Sequence, residues 1–349
     1  MKKAIKRLLK KFPERKYHSR HRRSALKVLK SIESVKGKTD RNLIKRCDEY
    51  AKDVFGWKGY APWLYVYSAI NGEFREGWIP DNFYGKIVVP QRKGNYGKIS
   101  DYSALTSRIF NSSLFPDRAY CVNGMWLSPE NGVLSDEEVL SHAFRDTEKV
   151  VYKIDNSRQG KGVHLFDKTN FDVKKMERLG NGVLQKYIRQ HPFFDEIIPD
   201  SVATLRLTSV VDDAGKVSVR ACYLRVGRKS DTHVKSASHI RIPVDLSTGL
   251  LGEFGYTTDW INIERHPDTQ FDFENKQVPH LEKCIEAVKA LHEKVLFTRS
   301  IGWDLILDSD GQVQIMEWNG GHNDIKFSEA TQGPCFSDLG WEKLTGFHG

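Results

Sequence analysis

The chain has 349 residues, of which 39% are apolar and 11% aromatic. That supports a sizeable core and excludes a disordered chain, and no run approaches the roughly 18 apolar residues of a membrane-spanning helix. The net charge of +9 is uneven: residues 1–23 carry eleven Lys/Arg against Glu14, a net +10, which leaves −1 for the rest. A nearly neutral body argues against nucleic acid as its partner. Five cysteines stand at 47, 121, 222, 284 and 335. Their odd number and lack of a Cys-x-x-Cys pair argue against a disulfide framework or zinc site and fit a reducing cytoplasm. No apolar segment follows the first charged residues, so no secretory signal is expected.

Residues 1–23 form a basic tail. Ile5, Leu8, Leu9 and Phe12 recur at i, i+3, i+4, i+7. That spacing predicts a short amphipathic helix ended by Pro13. Its Lys/Arg surface suits an anionic membrane, where each basic residue contributes on the order of 1 kcal/mol. A solvated arm, or a helix docked on the body, is the alternative. No RNA-recognition motif or aromatic stacking platform accompanies the charge, so nucleic acid is not an expected partner.

Residues 24–55 read as helical, with a break at Lys36–Asp40. Residues 57–130 are aromatic and rich in Gly and Pro, with short strand-like pieces such as Lys86–Val89. Ser135-Asp-Glu-Glu138 is a capping box opening a helix through Phe144. From Val150 the texture becomes β-rich. Val150–Ile154, Val163–Phe166, Gly182–Ile188, Thr204–Val211 and Val217–Arg225 read as strands, with a helix at Val173–Leu179. Pro279–Val295 is an amphipathic helix, and Ile301–Leu307 and Gln312–Trp318 are the last strands. Strands and helices intermix without regular βαβ crossovers, which predicts an α+β fold. The expected organisation is a basic tail at 1–23, a helical and aromatic-rich region at 24–130, and a catalytic region at 131–349.

The segment IGWDLILDSDGQVQIMEWNGGHND contains Asp310-Gly311, a two-residue hairpin-turn signal between alternating strands. That turn places Asp304 opposite Glu317, with Cβ atoms about 5 Å apart, and puts Asn319 on the same face. A turn at Ser309-Asp310 would instead put Gly302 opposite Glu317. Facing carboxylates among apolar neighbours need a cationic partner, or else they face solvent. Two carboxylates and an amide oxygen suit Mg²⁺, with phosphates filling the other positions.

VVYKIDNSRQGKGVHLF reads as a second hairpin, with Lys153 in its first strand and a polar loop at Asp155–Gly162. Loop amides can wrap a triphosphate, and a strand-end Lys can meet its charge. An ordinary flexible turn is the plain alternative. The Walker A pattern is absent. Gln185-Lys186-Tyr187-Ile188 closes a strand before His191-Pro192 and could form a flat slot for adenine, or simply an edge strand. Arg206 sits in an apolar strand where a charge needs a reason, and Arg225 and Arg228 follow in LRVGRKS. Arginine clamps planar carboxylates and phosphates, or forms structural salt bridges.

Taken in order, Lys153 with its Gly loop, LQKYIRQHP, SVATLRLTSV, LRVG, HPDTQFDFENKQVP and IGWDLILDSDGQVQIMEWN resemble the sugar-transfer-associated ATP-grasp family, related to α-L-glutamate ligases. The match covers roughly residues 60–325, and Gly-Trp-Asp…Glu-x-Asn is its most specific part. The resemblance implies an ATP-grasp fold, two α+β subdomains with ATP between them, after a helical N-terminal segment. It implies Mg²⁺ on Asp304, Glu317 and Asn319. Phosphate contacts would come from Lys153 and the loop residues Gln159, Gly160 and Gly162. Gln185, Lys186, Tyr187 and Ile188 would line the adenine slot, and Arg206, Lys153 and Arg225 would act in catalysis. The chain departs from the family pattern at Ala203, where Asn is usual, at Lys186, where an acid is common, in SDYSALTSRIF, where a Lys is usual and Ser103 or Arg108 falls nearby, and after LRVG, where an Asp-Asn pair is usual and KSDTHVKSASHI stands. The implied activity is an ATP-dependent carboxylate–amine ligase joining an amino acid or amine to a sugar acid, free or lipid-linked, in cell-surface polysaccharide synthesis. A kinase on the same scaffold, or a non-catalytic ATP-binding module, is the alternative.

Overall fold

The computed structural model describes residues 2–157, 162–228 and 239–345, with side chains from Pro13 onward. Two compact units emerge: residues 1–92 with 259–262 and 324–349, and residues 93–258 with 263–323.

The first unit is helical. Helix α1 spans Lys2–Lys36, α2 Arg41–Phe55 and α3 Ala61–Asn71. Pro13 does not end α1, contrary to the sequence expectation; it lies inside the helix. Proline removes one donor and crowds the preceding turn. Beyond it, His18, Ala25, Leu29 and Ile32 bury one continuous face, and that face holds the helix together. The break after Lys36 is where the sequence put it. Asp40 caps α2 by accepting from the Asn42 amide at 2.7 Å, and Gly56 closes it at φ 72°. Helix α3 buries Trp63, Leu64, Val66, Tyr67 and Ile70, so it is the central element of this unit. Lys86–Val89 is not a strand: Tyr84–Val88 is a wide helical turn that continues into a helix at Val89–Arg92. Tyr84, Ile87 and Val88 are buried at i, i+3, i+4, so helical packing overrides the β-branched composition.

The second unit holds two sheets. Strands β1 (Asp117–Val122), β2 (Met125–Leu127), β3 (Val133–Leu134), β4 (Lys149–Ile154), β5 (Val163–Asp167) and β6 (Gly182–Lys186) form one, in the order β3-β2-β1-β6-β4-β5. Strands β7 (Thr204–Val211), β8 (Val217–Val226), β9 (Ile240–Val244), β10 (Gly255–Tyr256), β11 (Asn262–Ile263), β12 (Ser300–Leu307) and β13 (Val313–Asn319) make up the other, in the order β11-β10-β9-β8-β7-β12-β13. The sequence read β4 to β8, β12 and β13 within one or two residues and missed β1 to β3 and β9 to β11. The first sheet packs Ala119, Cys121, Val150, Tyr152 and Leu184 under the helices Asp136–Ala143 and Val173–Leu179. The Ser135 capping box is present in full.

The second sheet packs against the helix Leu281–His292, which buries Leu281, Cys284, Val288 and Leu291 at helical spacing. A buried polar chain ties that helix to the strands. Trp303 Nε1 donates to Ser209 Oγ at 2.7 Å, and Ser209 Oγ lies 2.6 Å from His292 Nδ1. His292 Nε2 sits 2.8 Å from the Thr298 carbonyl. A carbonyl only accepts, so Nε2 carries the hydrogen and Nδ1 accepts from the serine. Burial keeps this imidazole neutral, its pKa lowered to about 4. Among the described residues, no helix is long and apolar enough to cross a membrane.

Candidate active site

Alternation along the central strands of the second sheet sends Leu205, Leu207, Cys222, Leu224, Trp303 and Leu305 into the core. The same alternation leaves Arg206, Tyr223, Arg225 and Asp304 together on the opposite face. The ladder aligns them: Asp304 pairs with Arg206, Arg206 with Tyr223, and Thr204 with Arg225.

The hairpin of β12 and β13 reaches the expected pairing by two offsetting departures. Its turn is not the two-residue Asp310-Gly311 form. Asp308 accepts from Gly311 and donates to the Gln312 carbonyl, each at 2.9 Å, with Gly311 at φ 72°. The Asp308 carboxylate also accepts from the Asp310 and Gln312 amides at 3.0 and 2.9 Å, which favours the longer, three-residue loop. Leu307 therefore pairs with Val313 and Leu305 with Ile315, one residue off the expected register. A bulge at Met316 then restores it, so Asp304 pairs with Glu317 and Gly302 with Asn319. The bulge also exchanges the faces: Val313 and Ile315 enter the core, while Glu317 and Asn319 join Asp304 on the polar side. Trp303 and Trp318, paired across the ladder, stack beneath them in the core.

Asp304 is buried and held by two guanidiniums. Arg206 grips it in two places, Nε on Oδ1 and Nη2 on Oδ2, the latter at 2.8 Å. Arg225 Nη2 also reaches Oδ2, at 2.8 Å. The third donor of Arg206, Nη1, goes to the Asn323 carbonyl at 3.3 Å. Burial alone would raise the Asp304 pKa, but the arginine charges and hydrogen bonds outweigh it and hold the group at about 2. The Arg206 pKa is correspondingly pushed up by Asp304 against the effect of burial. Gly302 makes room for this clamp: a Cβ there would lie 3.1 Å from Arg206 Nη1 and 3.0 Å from Asn323 Cβ.

Glu317 differs from its neighbour. Burial, and then the charge of Asp304, raise its pKa against the pull of Lys153, Arg206 and Arg225. Its side chain nevertheless keeps solvent access, so it lines a recess rather than the core. Asn319 Nδ2 and Arg225 Nε are buried and carry no hydrogen bond among the described residues.

The first sheet contributes its face away from its own core. Lys153 lies there with Gln185 and Asp117, since Val151 and Asp117 both pair with Gln185. Lys153 Nζ donates to the carbonyl of Met316, the bulged residue, at 3.1 Å, and so joins the two sheets. Burial lowers the Lys153 pKa, while Glu317, Asp117 and Asp304 oppose that shift. Gln185 Nε2 donates to Asp117 Oδ1 at 2.7 Å, and Gln185 Oε1 is buried without a hydrogen-bond partner among the described residues. Lys186 alternates to the other face and binds Asp146 at 3.2 Å, away from Lys153. Tyr187 N donates to the Lys149 carbonyl at 3.1 Å. Ile188 is buried in the second sheet's core, and no hydrogen bond to its amide is found among the described residues. Gly162 closes the β4–β5 loop against Ser157, where a Cβ would lie 2.4 Å from the serine Cβ. Gln159 and Gly160 lie outside the described residues.

The structure thus gathers Arg206, Arg225, Asp304, Glu317, Asn319 and Lys153, and sets Lys186 apart. It adds residues that the sequence reading missed. Lys93 is buried, donating to the Gly321 carbonyl at 2.5 Å and to Asn323 Oδ1 at 3.3 Å. Asn323 connects it to Arg206. Asn323 was visible in the Gly-Gly-His-Asn sequence after the hairpin; Lys93 and Asp117 had no local signal. Ser103 donates its amide and hydroxyl to Asp155 at 3.1 and 2.6 Å.

A model of the family described as sugar-transfer associated ATP-grasp matches residues 141–337, more than half of the chain. Among solved structures, the chain is similar to N5-carboxyaminoimidazole synthetase from Staphylococcus aureus complexed with ADP. The identity is 13%, over 69% of this chain and 49% of that one, with a TM-score of 0.42. It is also similar to the biotin carboxylase domain of 2-oxoglutarate carboxylase from Hydrogenobacter thermophilus, solved with MgADP, ADP and bicarbonate. There the identity is 14%, over 70% and 45% of the two chains, with a TM-score of 0.41. A third is the ATP-grasp ligase PsnB complexed with a minimal precursor, at 13% identity over 72% and 62%, with a TM-score of 0.40. The chain spans less than two thirds of the length of each. A search of curated proteins finds no match.

Proposed function

The chain belongs to the sugar-transfer associated ATP-grasp family, and from that premise we propose that it is an ATP-dependent carboxylate–amine ligase with its catalytic region in residues 131–349. The observation that carries this reading is the double-arginine clamp on Asp304 beside Glu317 and Asn319.

The donor set fits a divalent cation. Glu317 offers both carboxylate oxygens, and Asn319 an amide oxygen. Asp304 Oδ1, which accepts from Arg206 Nε, adds a carboxylate oxygen to the set. Asp304, Glu317 and Asn319 would hold Mg²⁺ there, and the ion would supply positive charge to neutralise what develops on the phosphates.

The chain's own residues divide the remaining work. Three of the five N–H donors of Arg206 go to Asp304 and Asn323, which makes it first of all the group that orients the acid. Arg225 Nε is buried without a hydrogen-bond partner among the described residues, so it is a donor placed to meet charge on a phosphoryl oxygen. Lys153, fixed between the sheets, brings a cation to the phosphates. Gln185, Tyr187 and Ile188 line the adenine slot, with the Ile188 amide as the donor to its edge. Lys186, turned to Asp146, contributes backbone only. In the reaction, a substrate carboxylate oxygen takes the terminal phosphoryl group of ATP, giving an acyl phosphate and ADP. An amine then attacks the acyl carbon, phosphate leaves, and an amide remains. The acid is a sugar acid of cell-surface polysaccharide, free or lipid-linked, and the amine an amino acid or simple amine. The basic residues 1–23 would keep the enzyme at an anionic membrane surface near such an acceptor.

The test is incubation with ATP, Mg²⁺, a panel of uronic acids and an amine. Amide formation with one ADP and one phosphate released per bond is the expected result. A stable phosphorylated product without amide would make the protein a kinase. A failure to bind nucleotide would refute both.

A further inference from the structure

We infer that the outward face of α1 is a docking surface for a bilayer rich in anionic lipid, with Lys16, Arg20, Arg23, Lys27 and Lys30 as its contact line. This deepens the membrane reading of residues 1–23 and is independent of the ligase chemistry. It also shifts the charge that matters toward the middle of the helix.

The buried residues of α1 fix its orientation: His18, Ala25, Leu29 and Ile32 face inward. Lys16, Arg20, Arg23, Lys27 and Lys30 follow one another at alternating steps of four and three residues, so they form one stripe. The stripe lies opposite the buried face, and all five residues are exposed. At about 1.5 Å per residue, it runs straight for about 21 Å. No acid interrupts it in sequence phase. Glu14 and Glu33 lie off the stripe, and Glu33 is engaged by Lys38 at 2.7 Å. Lys27 Nζ lies 3.6 Å from Asp259 Oδ1, with both side chains exposed. Like charges at these spacings weaken a helix slightly, so the stripe is not explained by the stability of α1.

A straight line of cations fits a flat anionic surface. A bilayer is favoured over a nucleic acid for two reasons. No aromatic side chain is interleaved on the stripe to stack bases. In addition, the sequence just before the stripe supplies the apolar residues Ile5, Leu8, Leu9 and Phe12. A basic segment with apolar residues beside it in sequence suits the boundary between headgroups and acyl chains, not a phosphodiester backbone.

The experiment is co-sedimentation of the full chain with phosphatidylglycerol-containing vesicles and with neutral phosphatidylcholine vesicles, at low and high salt. Binding to the anionic vesicles alone, lost at high salt, is expected. Each neutralised stripe residue should weaken it about fivefold, so Arg20→Gln/Arg23→Gln should lose about 25-fold. The control pair Lys45→Gln/Lys52→Gln removes the same charge from exposed positions on α2 and should leave binding within about twofold. Equal losses for the two pairs would overturn the proposal, as would salt-insensitive binding, no binding to anionic vesicles, or tighter binding to an RNA or DNA duplex. MgADP binding by the Arg20→Gln/Arg23→Gln variant, checked in parallel, reports on the ligase reading alone.

Discussion

Replacing Asp304 by Asn tests the clamp at its centre. The side chain keeps its shape and loses its charge, leaving the guanidiniums of Arg206 and Arg225 close together around a neutral amide. The folded protein holds the Asp304 pKa at about 2 against an ordinary 3.8. At about 1.4 kcal/mol per unit, the charged form is worth about 2 kcal/mol to the fold. Because the folded value is depressed, this stabilisation is complete above the unfolded pKa and is lost as pH falls through about 2. The pKa difference counts only the proton. Stranding two buried cations adds cost, and breaking a buried ion pair by removing one partner typically costs about 3–5 kcal/mol. Asp304→Asn should therefore lose about 2–5 kcal/mol at pH 7 in urea denaturation. A double-mutant cycle sharpens the test. Arg225→Met should be costly in the native background and nearly neutral with Asn at 304, a coupling of about 1–3 kcal/mol. An Asp304→Asn variant within about 0.5 kcal/mol of the parent, or an additive cycle, would refute the clamp.

Gly302→Ala places a methyl group against Arg206 Nη1 and Asn323; a loss of about 1–3 kcal/mol in chemical denaturation, with weaker nucleotide binding, is expected. In the helical unit, Glu329 accepts from the Ile79 and Cys335 amides at 2.6 and 2.7 Å, yet burial outweighs those bonds and raises its pKa to about 7. A raised folded pKa stabilises below the unfolded value of 4.5 and loses that contribution as pH climbs through about 7. Between pH 4.5 and 8, stability should fall by about 3 kcal/mol more in the parent than in Glu329→Gln, and parallel pH curves would contradict this.

The central strands were legible because their alternation is strong: Thr204–Val211 places five apolar or small residues around one arginine. The hairpin pairing was legible for a partly wrong reason. Asp310-Gly311 suggested a two-residue turn, but the carboxylate of Asp308 favours a three-residue one, and only the bulge at Met316 returns Glu317 to the face of Asp304. A bulge leaves no mark in a sequence read by period alone. One step along β6 changes the face, so the side chains of Gln185 and Lys186 point to opposite sides of the sheet, and Lys186 meets Asp146. Strands β1 to β3 were missed because the polar Asp117 and Arg118 and the Gly-rich turns hide a short meander. Lys86–Val89 misled in the opposite direction, its β-branched residues being buried at helical spacing. Lys93 meets Gly321 and Asp117 meets Gln185 across more than 60 residues of sequence, contacts which no local pattern carries.

The central claim is that Glu317 and its neighbours hold a divalent cation and nucleotide. Calorimetric titration of ADP into the full chain, with and without Mg²⁺, tests it most directly in parallel with Glu317→Gln. The parent should bind ADP in a Mg²⁺-dependent manner, and the variant, with an unchanged circular dichroism spectrum, should bind at least about tenfold more weakly, about 1.4 kcal/mol. Equal affinity in the two proteins, or ADP binding indifferent to Mg²⁺, would contradict the account.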